Sequence, residues 1–165
     1  MSSELEPHSC KITVLAADHP SLSRELDRFL ADLRSEHRYF GPSASANPKP
    51  FPSLIDALGG GDGFRLAAVE QGRIIGVARV DADGQLFLAV VCDRRGTGVG
   101  TILGRAALER ASALEYRRIV LRSTRRSRAA RRVGEQLGCV VVERSRGRTD
   151  MILDPATIRS GRRSA

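Results

Sequence analysis

The chain has 165 residues, enough for one domain with a buried core. It carries 27 Lys and Arg residues against 19 Asp and Glu, a net charge of +8, so an anionic partner is consistent with the composition. No stretch approaches the roughly 18 apolar residues of a membrane span, and the start MSSELEPHSC lacks the features of a signal peptide. Three separated cysteines in no metal spacing indicate reduced thiols, so we expect a cytoplasmic protein without a metal ion.

The first half of the chain predicts a strand, two helices and a β-hairpin. KITVLAA (11–17) has the composition of a strand, and Asp18 is a candidate cap for the helix that follows. Residues 38–52 contain four prolines without periodicity and predict a loop. FPSLIDAL (51–58) predicts a short second helix that GGGDG ends. FRLAAVE (64–70) and RIIGVARVD (73–81) flank the hairpin signal Gln71-Gly72. The apolar face of the first helix consists of Leu22, Leu26, Phe29, Leu30 and Leu33.

The second half alternates strands and helices before a final hairpin. QLFLAVV (85–91) is nearly continuous apolar sequence, which is typical of a central strand. RRIVL (117–121) predicts another buried strand, and CVVVER (139–144) and TDMIL (149–153) predict the hairpin. Two helices separate these strands. Their predicted apolar positions are Val99, Ile102, Leu103, Ala106, Ala107 and Leu114 in one, and Ala129, Ala130, Val133 and Leu137 in the other.

The order β-α-α-β-β-β-α-β-α-β-β predicts an α+β fold: a mixed central sheet of about seven strands flanked by about four helices. A doubly wound nucleotide fold would alternate strands and helices from the start. We expect residues 1–10 to be a flexible N-terminus, 11–154 to be the folded domain, and 155–165 to be a basic disordered tail.

A glycine-rich turn, CDRRGTGVGTIL (92–103), joins the central strand to the next helix. Successive glycines before a helix let backbone N–H groups point into one concavity, which suits a phosphate or pyrophosphate. A phosphate-binding P-loop ends in Gly-Lys-Ser/Thr, which this turn does not contain. The Rossmann fingerprint requires a different spacing of its glycines, so neither nucleotide-binding fold fits the sequence. The alternative is a plain tight connection between strand and helix.

The segment Arg95-Gly96-Thr97-Gly98-Val99-Gly100 resembles the cofactor signature of the GNAT acetyltransferases, Arg/Gln-x-x-Gly-x-Gly/Ala. The likeness extends back to Val90, except that Cys92 stands where proline is common. The order of elements from about residue 11 to 154 is also similar to that fold. QGRIIGVARV and LRSEHRYF are weakly similar to GNAT domains of bacterial protein-lysine acetyltransferases.

The resemblance implies acetyl-CoA as the co-substrate. Its pyrophosphate would lie on the backbone N–H groups of residues Gly96 to Thr101, a range that also contains Thr97, Gly98, Val99 and Gly100. The strand ending at Val91 would diverge from the strand at 117–122, and Leu88, Ala89 and Val90 would pair with the pantetheine amides. Ser127 stands where many members have asparagine. Arg94, Arg95 and the arginines of 125–132 are candidates to meet the phosphates, with a solvated helix face as the alternative for each.

The resemblance also locates catalytic positions at which this chain differs. Gln85 stands where many protein-lysine acetyltransferases have a glutamate base, and Gly134 stands where a tyrosine often acts as the acid. Replacement bases are Asp81 and Asp83, which are also typical turn residues, and His37 and Tyr39, where the substrate-binding loop of the family begins. His37 can equally be a surface residue. We interpret His8 and His19 as surface residues and Cys92 as a packing residue. The catalytic candidates are thus Gln85, His37 and Tyr39.

Three hypotheses follow. The first is an N-acyltransferase that moves acetyl from acetyl-CoA to an amine of a small molecule or protein, in a ternary complex. The second is a catalytically weak GNAT-like domain that binds acyl-CoA as a sensor. The third, a nucleic-acid-binding module, is disfavoured because only 4% of the residues are aromatic. A homodimer remains open.

Overall fold

A computed structural model describes residues 11–36, 54–124, 128–145 and 148–157. Within these ranges it has seven strands and four helices in the predicted order, so the predicted α+β fold is confirmed. The strands are β1 Thr13–Ala16, β2 Phe64–Glu70, β3 Arg73–Val80, β4 Gln85–Val90, β5 Ile119–Thr124, β6 Val140–Ser145 and β7 Arg148–Leu153. The helices are α1 Ser23–Ser35, α2 Leu54–Gly59, α3 Val99–Ala113 and α4 Arg128–Leu137.

All seven strands form one sheet in the order β1-β2-β3-β4-β5-β7-β6. Only β4 and β5 pair in parallel among the described strands, because the α3 crossover carries the chain back to the edge where β4 began. The predicted hairpin turn between β2 and β3 is confirmed. Gln71 has φ of 50° and Gly72 has φ of 76°, and a two-residue turn of type I′ requires positive φ at both positions.

The helices cover the two faces of the sheet in pairs. A Cβ atom at Gly76 of β3 would lie 2.7 Å from Leu103 Cδ1, so this face of β3 packs closely against α3. Arg79, three residues further along β3, points to the opposite face, where Nη1 donates to the Ala57 carbonyl of α2 at 2.7 Å. Helix α4 packs beside α3, and α1 packs beside α2. We call these the α3/α4 face and the α1/α2 face.

Helix α1 buries its predicted apolar face, but its N-terminus differs from the prediction. A 3-10 turn, Pro20–Leu22, precedes the helix, and the His19 ring nitrogen accepts from the Ser21 N–H at 3.3 Å. The prediction that Asp18 caps this helix is therefore wrong, because the residue directly before the 3-10 turn takes the capping role. The buried positions are those predicted: Leu22, Leu26, Phe29, Leu30 and Leu33.

Helix α3 buries a different stripe from the one predicted. The predicted Val99, Leu103 and Ala107 are buried, and so are Leu108 and Ala111, which the prediction left out. Ile102 and Leu114 are 41% and 48% exposed, so their assignment to the core is wrong. Ile102 lies at the edge of the stripe, and Leu114 follows the last helical residue.

Candidate functional site

The central sheet is open between β4 and β5. Pairing between these strands covers two positions, Gln85 with Val120 and Leu86 with Leu121. Beyond Leu86 no described residue of β4 pairs with β5, although β5 stays paired with β7 along its whole length. An open edge of β4 therefore runs over residues 87–90. This is the divergence of strands that the resemblance predicts.

The backbone of Leu88 and Val90 faces this opening. In an antiparallel ladder, alternate residues bond to the neighbouring strand and the residues between them point away. The Val91 N–H donates to the Ile75 carbonyl of β3 at 2.9 Å, so Ala89, two residues earlier, also turns its backbone toward β3. Leu88 and Val90 consequently present backbone groups to the opening. Of the three predicted pantetheine-pairing residues, Ala89 is directed away.

The glycine turn begins where this open edge ends. A 3-10 turn over Cys92–Arg94 follows β4, and the Thr97 hydroxyl closes the loop by donating to the Arg94 carbonyl at 2.6 Å. Gly96 has φ of 75°, and Gly98, the N-cap of α3, has φ of 92°. No described atom lies within 4 Å of a Cβ placed at either glycine. As far as the described residues go, the space before α3 is thus open, and none of their side chains caps the first N–H groups of the helix.

The remaining residues of the motif pack the start of α3. Val99 is buried. A Cβ at Gly100 would lie 3.3 Å from Leu88 Cδ2 and 3.3 Å from Val133 Cγ2, so helix, strand β4 and α4 meet closely there. The Thr101 hydroxyl donates to Gln136 Oε1 of α4. These side chains hold the turn in place, and a ligand before α3 would meet the backbone.

The two arginines of the turn form ion pairs. Arg94 Nη2 lies 2.7 Å from Glu70 Oε1 at the end of β2. Arg95 Nη2 lies 2.7 Å from Glu36 Oε2, directly after α1, and Arg95 Nε donates to the Val90 carbonyl at 2.9 Å. Both guanidinium groups are thus engaged by protein groups.

A third ion pair anchors the same turn. The hydrogen bond from Arg73 to Asp93 holds the pKa of that carboxyl below its ordinary value. On α4, Arg128, Arg131 and Arg132 are exposed. Ser127 and the arginines at 125 and 126 lie outside the described residues.

The described catalytic candidates lie at the closed end of the opening. Gln85 is half-buried at the first position of β4, and its N–H donates to Asp81 Oδ1 at 2.8 Å. Asp81 Oδ1 also accepts from the Asp83 N–H at 3.0 Å, so Asp81 is a turn residue. His37 and Tyr39, like His8, lie outside the described residues. Among the described residues, the position that the resemblance assigns to the base therefore carries the Gln85 amide and no carboxylate.

Gly134 is a packing residue. It is buried in α4, and a Cβ placed there would lie 2.5 Å from Met151 Sδ of β7. The space beside this position is filled by a thioether, whereas the resemblance puts a tyrosine there in other members. Val133 and Leu137 are half-buried and Ala129 is exposed, so the apolar face predicted for α4 is confirmed only in part.

Several charged groups beside the opening are not evident from the sequence. Arg122 Nε of β5 donates to Asp150 Oδ1 of β7 at 2.9 Å. Leu121 and Met151 lie near Gly134 of α4, so their neighbours Arg122 and Asp150 point to the α1/α2 face. Glu36 and Glu70 also contact the turn only through tertiary structure. A predicted pairing of β5 with β7 could have suggested the ion pair between Arg122 and Asp150. No local sequence pattern indicates that Glu36 and Glu70 contact the glycine turn.

A shallow cleft of about 450 Å³ lies between α1 and α2. Two carboxylates and one guanidinium give this cleft a formal charge of −1 on a chain whose net charge is +8. Its lining residues are Asp27, Leu30, Arg34, Ile55, Asp56 and Gly59.

The described residues fit an anionic ligand with an extended, amide-bearing arm. Uncapped N–H groups and open space at two glycines suit a diphosphate, and the unpaired edge of β4 can pair with amides. In the described ranges no cluster of three or more His, Cys, Asp or Glu side chains could hold a metal ion. Nor is any helix there long and apolar enough to cross a membrane.

Solved structures similar to this chain share the fold at low sequence identity. An acetyltransferase of the GNAT family from Streptococcus pneumoniae superposes with a TM-score of 0.67 at 21% identity, covering 87% of this chain and 99% of its own. The ribosomal-protein-S5-alanine acetyltransferase of Vibrio fischeri gives 0.68 at 12%, covering 87% and 93%. The Salmonella typhimurium protein yncA, determined with its cofactor acetyl-CoA, gives 0.61 at 18%, covering 87% and 94%.

No curated protein sequence matches this chain. A family model does: residues 26–139 match the model of the acetyltransferase (GNAT) family. The matched range covers most of the chain and includes the open edge of β4, the glycine turn and α4. The chain therefore belongs to the acetyltransferase (GNAT) family, whose members are acetyl-CoA-dependent acyltransferases.

Proposed function

We propose that this protein transfers an acetyl group from acetyl-CoA to a primary amine, by direct attack in a ternary complex. The observation that carries the proposal is the open edge of β4, with the backbone of Leu88 and Val90 facing it, ending at an uncapped helix N-terminus. Pantetheine amides would pair along this edge, and the diphosphate would lie on the N–H groups from Gly96 to Thr101.

The reaction forms a bond from the amine nitrogen to the thioester carbonyl carbon and breaks the carbon–sulfur bond. The amine gives up one proton, and the departing thiolate takes one. A backbone N–H of the open edge, near Val90, would stabilise the oxyanion that develops on the carbonyl oxygen. A thiol such as that of cysteine has a pKa of about 8.5, far below that of an alcohol, so a thiolate leaves without a strong acid.

Deprotonation of the acceptor is the demanding step. A lysine amine with a pKa of about 10.4 costs about 4.6 kcal/mol to neutralise at pH 7, whereas an α-amine near pKa 8 costs about 1.4 kcal/mol. Gln85 cannot take the proton, and the Asp81 carboxylate is engaged by two backbone N–H groups. We therefore propose that the acceptor is an amine of low basicity, approaching from the α1/α2 face, where carboxylates line the cleft.

The second candidate is a domain that binds acyl-CoA with little turnover. It is favoured by Gly134, where Met151 fills the space beside the helix, and by the amide of Gln85. Both positions at which acetyltransferases often carry a proton donor or acceptor lack one here. This candidate retains cofactor binding but predicts a negligible rate of acetyl transfer.

Thiol release from acetyl-CoA, measured with amines of pKa from about 8 to about 10.4, distinguishes the two candidates. An enzyme without a base should favour the weaker bases at pH 7, by up to roughly 200-fold from the neutral fractions alone. Acetyl-CoA binding without thiol release for any amine would support the second candidate. Failure of millimolar acetyl-CoA to raise the melting temperature would refute both.

A further inference from the structure

The backbone ladder between β3 and β4 ends just before the glycine turn. Among the described residues its last bond is the one from the Val91 N–H to the Ile75 carbonyl, at 2.9 Å. The 3-10 turn over Cys92–Arg94 then replaces the strand. In the described ranges no backbone hydrogen bond joins residues 92–98 to β2 or β3. The position of this segment relative to these two strands therefore depends on side chains.

Two ion pairs from the tip of the β2–β3 hairpin reach the 3-10 turn. Glu70 is the last residue of β2, and its Oε1 lies 2.7 Å from Arg94 Nη2. Arg73 is the first residue of β3, and its Nη1 and Nη2 donate to the two carboxylate oxygens of Asp93 at 3.2 and 3.5 Å. Glu70 and Arg73 are also partners across the hairpin. We call these two contacts the hairpin ion pairs.

The charges of the hairpin ion pairs fit one alignment of the turn on the hairpin. A slip by one residue in either direction would bring like charges together, Glu70 against Asp93 or Arg73 against Arg94, and like charges at this distance repel. The side chains of Glu70 and Arg94 are 14% and 30% exposed, so salt screens this pair less than a surface pair. The pair between Arg73 and Asp93 is more exposed, so most of the stabilisation comes from Glu70.

The hairpin ion pairs connect to the predicted diphosphate site through one further hydrogen bond. The Thr97 hydroxyl donates to the carbonyl of Arg94 at 2.6 Å. Thr97 lies between Gly96 and Gly98, whose φ angles are 75° and 92°. Backbone N–H groups bind an anion best when their directions are fixed before the ligand arrives. A displacement of Arg94 would therefore disturb Thr97 and the N–H groups on either side of it.

We propose that Glu70 and Arg73 are positioning residues, which hold the glycine turn against the β2–β3 hairpin and so preorganise its N–H groups for the diphosphate. The proposal rests on the proposed function, since it concerns how the same cofactor is received. It holds whether or not the rest of the Arg94 guanidinium touches a phosphate. It predicts that removing the negative charge of Glu70 weakens the binding of an anion.

Glu70→Met tests this role, because charge and position predict opposite results. If charge alone matters, loss of a carboxylate near an anion site strengthens the binding of an anion. If Glu70 positions the turn, its loss weakens that binding. The control Asp62→Leu removes the carboxylate of another ion pair, whose Oδ1 lies 3.4 Å from Arg79 Nη2. Arg79 is about 20 Å from Arg73 along β3, at roughly 3.3 Å per residue of strand.

Isothermal titration uses two ligands, acetyl-CoA and 3′-phospho-ADP, which is the nucleotide of CoA without its pantetheine arm. Both carry the diphosphate, so Glu70→Met should weaken the binding of each by about fivefold. Asp62→Leu should leave both affinities within about twofold of wild type. Unchanged or tighter binding by Glu70→Met would overturn the proposal. A loss for acetyl-CoA alone would overturn it as well, because the effect would then concern the pantetheine arm.

If melting shows that Glu70→Met is unfolded, Glu70→Asp serves in its place. Aspartate keeps the charge but is one methylene shorter, so the 2.7 Å contact with Arg94 is lost and both ligands should again bind more weakly by equal factors. Wild-type affinity in Glu70→Asp would then overturn the positioning role alone. Wild-type protein that binds neither ligand would overturn the proposed function itself, and this inference with it.

Discussion

Gly98→Asp should abolish acetyl-CoA binding while leaving the fold intact. Gly98 is the N-cap of α3, with φ of 92° and no described atom within 4 Å of a Cβ placed there. An aspartate therefore meets no steric clash with the described residues. The cost to folding is the left-handed backbone conformation, about 1–2 kcal/mol, which lowers the melting temperature of a chain this size by a few degrees.

The cost to binding is larger, because the new carboxylate stands where the diphosphate would lie. Two unit charges 4 Å apart repel by about 1 kcal/mol even at the dielectric constant of water. A diphosphate carries two charges, so the loss is at least about 2 kcal/mol, or roughly 30-fold in affinity. Steric exclusion by the side chain adds to this, and we expect no measurable binding.

Gly72 provides a matched control in the β2–β3 turn. It has φ of 76° and the same open surroundings, so Gly72→Asp carries a similar backbone strain and the same added charge outside the glycine turn. Without ligand, the melting temperatures of both variants should lie below that of wild type by similar amounts. With millimolar acetyl-CoA, wild type and Gly72→Asp should gain stability, and Gly98→Asp should not. Near-wild-type affinity in Gly98→Asp, measured by titration calorimetry, would refute a diphosphate site at this turn.

Three further outcomes are expected. Gln85→Glu should raise the rate of thiol release with a lysine-like acceptor by about 10²–10⁴-fold. If the rate of the wild-type protein plotted against pH has an inflection at about pH 6–7, another side chain acts as the base and this prediction is wrong. Gly134→Ala should lower the free energy of unfolding, measured in urea, by about 1–3 kcal/mol through overpacking. The control Gly60→Ala, whose new methyl group lies in open space, should not lower it, and equal effects would contradict the close packing of α4. Cys92 is exposed and is therefore not the packing residue that the sequence predicted, whereas burial raises the pKa of the Cys139 thiol. Mass spectrometry should find iodoacetamide on Cys92 well before Cys139, and the reverse order would contradict the burial.

Local regularities of the sequence are enough to determine the helices and strands of this protein. Apolar residues at helical spacing on α1 predict a face that is buried at every position. Gln71-Gly72 predicts a hairpin, because few residue types adopt positive φ. The glycine signature after an apolar strand predicts the cofactor turn and its family in the same way. These features can be predicted from the sequence because each depends only on residues a few positions apart in the chain.

Contacts between distant segments were decided only by the tertiary structure. The Asp18 cap failed because the 3-10 turn shifts the cap by one residue. Ile102 is exposed because the buried face of α3 runs through Leu103, Ala107 and Ala111 and does not include it. Ala89 turns away from the opening because the register with β3 sets which backbone groups point outward.

The ion pair between Arg95 of the glycine turn and Glu36 depends most on tertiary structure. Glu36 and Arg95 are 59 residues apart, and neither has a neighbour in sequence that signals the other. The sequence by itself determined a GNAT-type turn and the order of elements around it, since both follow from local backbone preference and periodicity. Packing decided which side chains meet at the open edge of β4. An arginine can reach any group within the length of its side chain, and only the fold determines which groups those are.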